Sequence, residues 1–163
     1  MLRAGWIVLF ATACASTPPA PAPTSTLEQW GMDIDRLEQI LRQAAPDLAG
    51  ERGFWDLSID GVPMKCIGDP HHDRMRIVAP IGRVSELSAG QLERAMAANY
   101  NTALDARYAT SHGWVVAAFI HPLSPLTDVQ VRSALIQVKN LALSFGTTYS
   151  SGILNFGQPE TEI

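Results

Sequence analysis

The run Asp69-Pro70-His71-His72-Asp73 puts two imidazoles and two carboxylates where a divalent metal such as zinc could be held. Its spacing argues against a metal. Adjacent histidines tend to point apart, and no helix presents a histidine pair four residues apart, as zinc hydrolases do. The expectation is an exposed polar hairpin loop and no bound metal, with Asp69, His71, His72 and Asp73 the residues to examine for one. Cys66 sits in an alternating apolar segment and reads as a small core hydrophobe, not a nucleophile. His121 precedes Pro122 at the end of an apolar run. It is expected to be buried and bonded to backbone, and a pocket beside it is the other place a small ligand or a reaction could be housed. His112, next to Gly113, belongs in an exposed turn. Ser124, Ser150 and Ser151 lack the strand–turn–helix setting of an activated serine, and Ser150-Ser151-Gly152 reads as a turn. The glycines form neither a phosphate loop nor a dinucleotide fingerprint. No catalytic constellation is visible, so the sequence points to a non-enzymatic protein with no cofactor.

These residues must be positioned by a modest amount of chain. Of 163 residues, 47% are hydrophobic and 17% charged, with a formal net charge of −4. That is enough apolar material for one compact domain. The acidic balance excludes nucleic acid as a partner, because phosphate binding requires clustered positive charge.

The ends do not belong to that domain. Arg3, the apolar run Trp6–Phe10 and the small residues Ala11-Thr12-Ala13 have the parts of a secretory signal over residues 1–13. The apolar run is too short to span a bilayer, which takes about 20 residues. Ala11-Thr12-Ala13-Cys14 resembles a bacterial lipobox, which implies lipidation of Cys14. Ordinary signal cleavage near Ala13 or Ala15 is the alternative. Residues 14–31 would then be a lipidated cysteine and a Pro/Ala/Thr-rich tether, whose prolines favour extended chain. The absence of aspartate after the cysteine implies outer-membrane anchoring, on the periplasmic side of the cell envelope. With Cys14 lipidated, Cys66 has no disulfide partner within the chain.

The domain, residues 32–157, reads as helix, three strands, helix, two strands, helix, followed by a polar tail at 158–163. Ile34, Leu37, Ile40 and Leu41 recur at helical spacing between Asp33 and Pro46. Trp55, Leu57 and Ile59 alternate up to the hairpin signal Asp60-Gly61. Val62, Met64 and Cys66, then Met75, Ile77 and Ala79, continue an antiparallel meander in which Arg74 and Arg76 face solvent. A second helix is expected over 89–104, with Leu92, Ala95, Met96 and Asn99 inward and Ser88 and Gln91 as its capping box. Short strands at 107–110 and 114–121 follow, with Trp55, Trp114, Tyr108 and Phe119 as core aromatics. The last helix spans 128–145, capped by Thr127 with Gln130 and closed by Gly146. Tyr149, Ile153, Leu154 and Phe156 then either pack back on the domain or meet a partner. The resulting class is α+β: two layers, an antiparallel sheet of about five strands and three helices.

This order resembles the fold of type III secretion chaperones and of YbjN-like bacterial proteins. The resemblance runs over roughly Ile34 to Gly146 and is carried by Asp60-Gly61, by the passage from Asn99-Tyr100-Asn101 to Ala106-Arg107-Tyr108, and by Phe119–Leu126 leading into the last helix. It implies binding rather than turnover: a small acidic homodimer that holds an extended protein or peptide on apolar surface. The expected function is that of a lipid-anchored envelope protein binding such a partner through its sheet, a strand edge or its C-terminal apolar segment. The alternative is a periplasmic metal- or small-ligand-binding protein or enzyme using the His71/His72 loop or a pocket near His121.

Overall fold

The computed structural model describes residues 31–152. The expected leader, Cys14 and most of the tether lie outside the described residues. So do Ile153, Leu154, Phe156 and the tail.

Helix α1 covers Ile34–Ala44 and is started by Asp33, whose carboxylate accepts the backbone N–H of Arg36 at 2.7 Å. A cap of this kind contributes about 1 kcal/mol. Asp35, in the first turn, forms an ion pair with Arg52 at 3.1 Å. Ile34, Leu37, Ile40 and Leu41 make the buried stripe.

The chain then forms strands β1 (Ala49–Glu51), β2 (Phe54–Ile59), β3 (Val62–Asp69) and β4 (Arg74–Arg83), a single 3-10 turn at Val84–Glu86, and helix α2 (Gln91–Asn101). Strands β5 (Arg107–Ser111) and β6 (Trp114–His121) and helix α3 (Asp128–Ser144) complete it. All strand pairs are antiparallel, in the order β1-β2-β3-β4-β6-β5. The architecture is α+β, with six strands where five are expected from the sequence. The addition, β1, is an exposed three-residue edge pairing Ala49 with Asp56.

The Asp60-Gly61 hairpin forms as expected, with φ of 49° and 80°, the pair of positive values such a turn requires. Alternation puts Trp55, Leu57, Val62, Met64, Cys66, Met75, Ile77, Ala79, Ala117 and Phe119 on one face, beneath α1 and α3. Gly68 permits the close seating of α1: a Cβ there would lie 2.3 Å from Ile34 Cδ1. Thr127 and Gln130 form both halves of the capping box of α3. Gly146, at φ 83°, ends that helix.

Two expectations are corrected here. Trp114 is not a core aromatic. The inward positions of β6 are Val115, Ala117 and Phe119, so alternation turns Trp114 to the opposite face, 36% exposed, with the Arg83 guanidinium 4.3 Å above its ring. Helix α2 is shorter than expected, and its inward side is small. Ala95 and Ala98 are buried, whereas Leu92 and Met96 are exposed. Of the expected capping box only one half forms, Ser88 N–H donating to Gln91 Oε1 at 2.7 Å. Gly90, at φ 79°, occupies the cap position.

Candidate functional site

The histidine loop does not gather its four polar groups. His72 Nδ1 meets Asp69 Oδ2 at 2.7 Å, and His72 N–H donates to Asp69 Oδ1 at 3.1 Å. These bonds hold the Asp69 carboxyl below its usual range, the His72 side chain being the larger cause. His71 stacks on His72 with ring centroids 4.7 Å apart. Asp73 turns elsewhere. Its carboxylate accepts the N–H of Ser124 at 2.7 Å and the Ser124 hydroxyl at 3.0 Å, and this too lowers its pKa. The loop is therefore tied to the turn before α3. Among the described residues no three His, Cys, Asp or Glu side chains are grouped to hold a metal. Ser124 acts as a fastener between loops, a role its sequence context did not signal.

Cys66 is fully buried, and burial pushes its thiol up to about 12. His121 is half-buried and stacks on Phe119, with Nδ1 2.8 Å from Pro122 O. A notch of about 320 Å³ does lie beside it, lined by Asp105, Arg107, Phe119, Ile120, His121 and Ser133 among others. Two of its polar groups, Asp105 and Ser133, are engaged from behind. Gln137, a buried residue on α3, accepts the N–H groups of Asp105 and Ala106 through Oε1 at 2.8 and 3.0 Å. Its Nε2 donates to Asp105 Oδ2 and Ser133 Oγ, both at 3.1 Å. A roomier hollow of about 810 Å³ adjoins Gly31, where its charged groups are the Arg36–Asp128 ion pair, the α1 cap Asp33, and Asp35, which is paired with Arg52.

Tyr149, at φ 51°, is buried and packs edge-on against Tyr108 and Phe145. It fastens the segment after α3 to the domain. The Tyr108 hydroxyl donates to Leu141 O at 2.8 Å, and burial raises its pKa to about 12.

The face of the sheet turned away from the helices is of a different character. Rows across it read Phe54–Ile67–Arg76–Ile120, then Lys65–Val78–Ala118–Arg107, then Pro80–Val116–Ala109. A groove of about 460 Å³ runs among Pro63, Val78, Pro80, Val116 and Trp114. Phe54 and Ile120 are 65% and 59% exposed. Arg74, Arg76, Arg83 and Arg107 also stand on this face, exposed, and among the described residues none pairs with a carboxylate; Asp56 there is taken by Lys65. A chain of net charge −4 thus presents one apolar face bearing unpaired positive charge.

The sheet edges, by contrast, are largely closed. On β5, Asn99 of α2 accepts the Tyr108 N–H at 2.7 Å and donates to Tyr108 O at 3.0 Å, occupying both outward backbone groups of that residue. On the other side β1 covers the start of β2, and beyond it Asp47 accepts from Ser58 N–H at 3.4 Å. An edge plugged by side chains is protected from pairing with another strand. Phe119–His121 of β6 lack a strand neighbour on one side, because the β5–β6 pairing ends at Arg107 opposite Ala118, and so do Leu57–Ile59 of β2, beyond the reach of β1.

No family model matches the chain, and no curated protein does. Solved structures share its fold. A chain of the ExsC–ExsE complex superposes with a TM-score of 0.51 at 15% identity, over 67% of this chain and 90% of that one. A chain of the HopA1–SchA chaperone–effector complex gives 0.51 at 12%, over 66% and 91%. A chain of the complex between the Yersinia pestis type III secretion chaperone SycH and a stable fragment of YscM2 gives 0.50 at 15%, over 68% and 99%. At such identities the likeness is one of fold: that of type III secretion chaperones.

Proposed function

We propose that this chain is a non-enzymatic protein of the bacterial envelope, held to the outer membrane by lipid on Cys14, that binds a protein or peptide partner. The observation that carries the binding is the outer sheet face. It is apolar at its centre, it bears Arg74, Arg76, Arg83 and Arg107, none with a carboxylate partner among the described residues, and it is set between edges on which Asn99 and Asp47 bind backbone groups. Exposed apolar surface of this kind marks interaction sites, and plugged edges direct a partner to the face instead of to strand addition. The structures sharing this fold are of chaperone–effector and chaperone–fragment complexes, which supports the same reading. Export would set this chain apart from the secretion chaperones it resembles, which act in the cytosol, so its partner would not be a secretion substrate awaiting export.

A photo-crosslinking side chain at Val78 tests the binding against the same group at Gln39, which is exposed on the helix layer. Capture of one discrete partner from Val78 and not from Gln39 is expected. Equal capture from both, or none from Val78, overturns it. Fractionation of wild type beside Cys14→Ala tests the anchor, because only the wild type should remain with membranes. Wild-type protein found soluble in the cytosol removes both lipid and location. A homodimer, the assembly implied by the resemblance, is checked by sedimentation at micromolar concentration, where a monomer discards it.

A further inference from the structure

The outer sheet face divides by charge. Its carboxylates stand on one half: Glu51 on β1, Asp56 on β2 and Asp69 on β3, the last two paired with Lys65 and His72. The other half, β4–β6–β5, carries Arg74, Arg76 and Arg83 on β4 and Arg107 on β5, and none of these three strands contains an aspartate or glutamate. Of the acids at its margins, Asp73 is bonded to Ser124 and Asp105 to Gln137, and Glu86 forms no ion pair among the described residues. Arg74 and Arg107 each give one N–H to a backbone carbonyl, Asp73 O and Ala106 O, both at 2.9 Å, and Arg83 lies over Trp114. A guanidinium has several N–H donors in a fork suited to carboxylate, so each retains some for a ligand.

Between these arginines the surface is apolar, with Val78, Pro80, Val116 and Ala118 in the middle and the groove beside them. Arg76 stands at one end and Arg83 at the other. Their partners on β6 are Ile120 and Trp114, so roughly 20 Å of strand separates them at ~3.3 Å per residue. Arg107 flanks the middle from two strands away, ~10 Å from β4. This layout selects among occupants. A second copy offers on this face only Glu51 without a partner among the described residues, too little to meet four arginines. A flat anionic bilayer would meet the carboxylates of the other half together with the arginines. An extended segment one strand wide meets the basic half alone. We propose that this face takes an extended peptide segment with an apolar centre and carboxylates at both ends, lying along β4 and β6 with its acids at Arg76 and Arg83. The proposal rests on the reading of the face as a partner-binding surface and adds the chemistry of the partner.

Binding of a fluorescein-labelled synthetic peptide, Glu-Glu-Ser-Leu-Ser-Val-Ser-Leu-Glu-Glu, to the full chain tests it by anisotropy, beside the same peptide with lysine at every glutamate. The acidic peptide binds wild type about tenfold more tightly than the lysine peptide. In the double variant Arg76→Glu, Arg83→Glu the order reverses, and because the lysine peptide then binds the better, misfolding cannot imitate the result. Equal affinities, no binding of the acidic peptide at millimolar concentration, or an order that the double variant leaves unchanged each overturn the proposal. The crosslinking group at Val78 separates this failure from that of the underlying reading. If it still captures one partner from wild type and double variant alike, the binding surface stands and only the acidic chemistry falls; if it captures nothing, both fall. Failure of the acidic peptide together with association to phosphatidylglycerol vesicles that the double variant abolishes overturns the proposal and gives the face to a lipid surface. Self-association that the double variant abolishes, with no peptide bound, overturns it in favour of a second copy.

Discussion

Replacing Gln137 by leucine removes the one side chain that joins α3 to the turn leading into β5. Its Oε1 serves the N–H groups of Asp105 and Ala106, and Ala106 has no solvent exposure. Leucine has similar bulk and no acceptor. Each buried N–H left without a partner costs about 1–3 kcal/mol. Water reaching the more exposed Asp105 and the added apolar burial each return part of that, leaving a net loss of about 2–4 kcal/mol. For a domain of this size roughly 4 °C of Tm corresponds to each kcal/mol, so Tm falls by about 8–16 °C. Urea titration followed by tryptophan fluorescence reads the loss directly, since Trp55 is buried in the core. Gln137→Glu separates acceptor from donor. It keeps an oxygen for the two N–H groups but sets a second carboxyl against Asp105 Oδ2, where Nε2 now lies at 3.1 Å. The introduced carboxyl is then harder to ionise in the folded state than in the unfolded chain, where its pKa is about 4.3. Its penalty is absent below that pH and grows as pH rises through the elevated folded value. The variant should approach wild type near pH 4 and fall behind it at pH 7. A Gln137→Leu protein within about 0.5 kcal/mol of wild type, or a Gln137→Glu deficit independent of pH, refutes the reasoning.

Gly68→Ala drives a Cβ to 2.3 Å from Ile34 Cδ1, and overpacking at the yielding end of a side chain costs about 1 kcal/mol; Ile34→Val in the same chain should recover part of it in a double-mutant cycle. An unchanged urea midpoint for Gly68→Ala shows that α1 is not seated there. In a Cys14→Ala background, Cys66 should resist a disulfide reagent at pH 8 until the protein is unfolded, given its burial and a pKa of about 12. Rapid labelling of the native protein contradicts that. The Asp73 carboxyl is held below its usual range by the Ser124 N–H and hydroxyl. The advantage of wild type over Asp73→Ala should therefore be full above the unfolded value of about 3.9 and shrink as pH falls through the lower folded one. Urea midpoints that stay equally far apart from pH 7 to pH 3 argue against the Ser124 bonds.

The elements whose burial follows a simple period were legible in the sequence. Ile34, Leu37, Ile40 and Leu41 gave α1, Thr127 and Gln130 gave the start of α3, and Asp60-Gly61 gave the β2–β3 turn. Strand β1 was hidden because three exposed residues have no alternation to read. Trp114 was misplaced because Val116 and Ala118 are apolar on the outer face as well, so β6 looked buried throughout and the parity set by Val115, Ala117 and Phe119 was masked. Leu92 and Met96 were assigned inward on apolarity alone, although the close packing of α2 admits only Ala95 and Ala98. The candidate surface was the least visible. Asn99 and Gln137 act on backbone groups 9 and 31–32 residues away, and Asp73 on Ser124 across 51, distances over which no local pattern carries information. Asn99 was expected on the inward side of α2, but nothing in the sequence named the Tyr108 backbone as what it meets there.

The way α2 is attached gives this domain a thermal weak point at a particular place. The helix buries only Ala95 and Ala98 along its length, yet it carries the Asn99 plug of β5. So little apolar burial lets α2 detach at lower free energy than the sheet melts. Each such excursion bares the Tyr108 backbone while β5 and β6 remain paired. Heating should therefore produce, ahead of global melting, molecules that are folded but able to join strand to strand. Loss of solubility would begin at β5 and set in below the temperature at which the core itself comes apart.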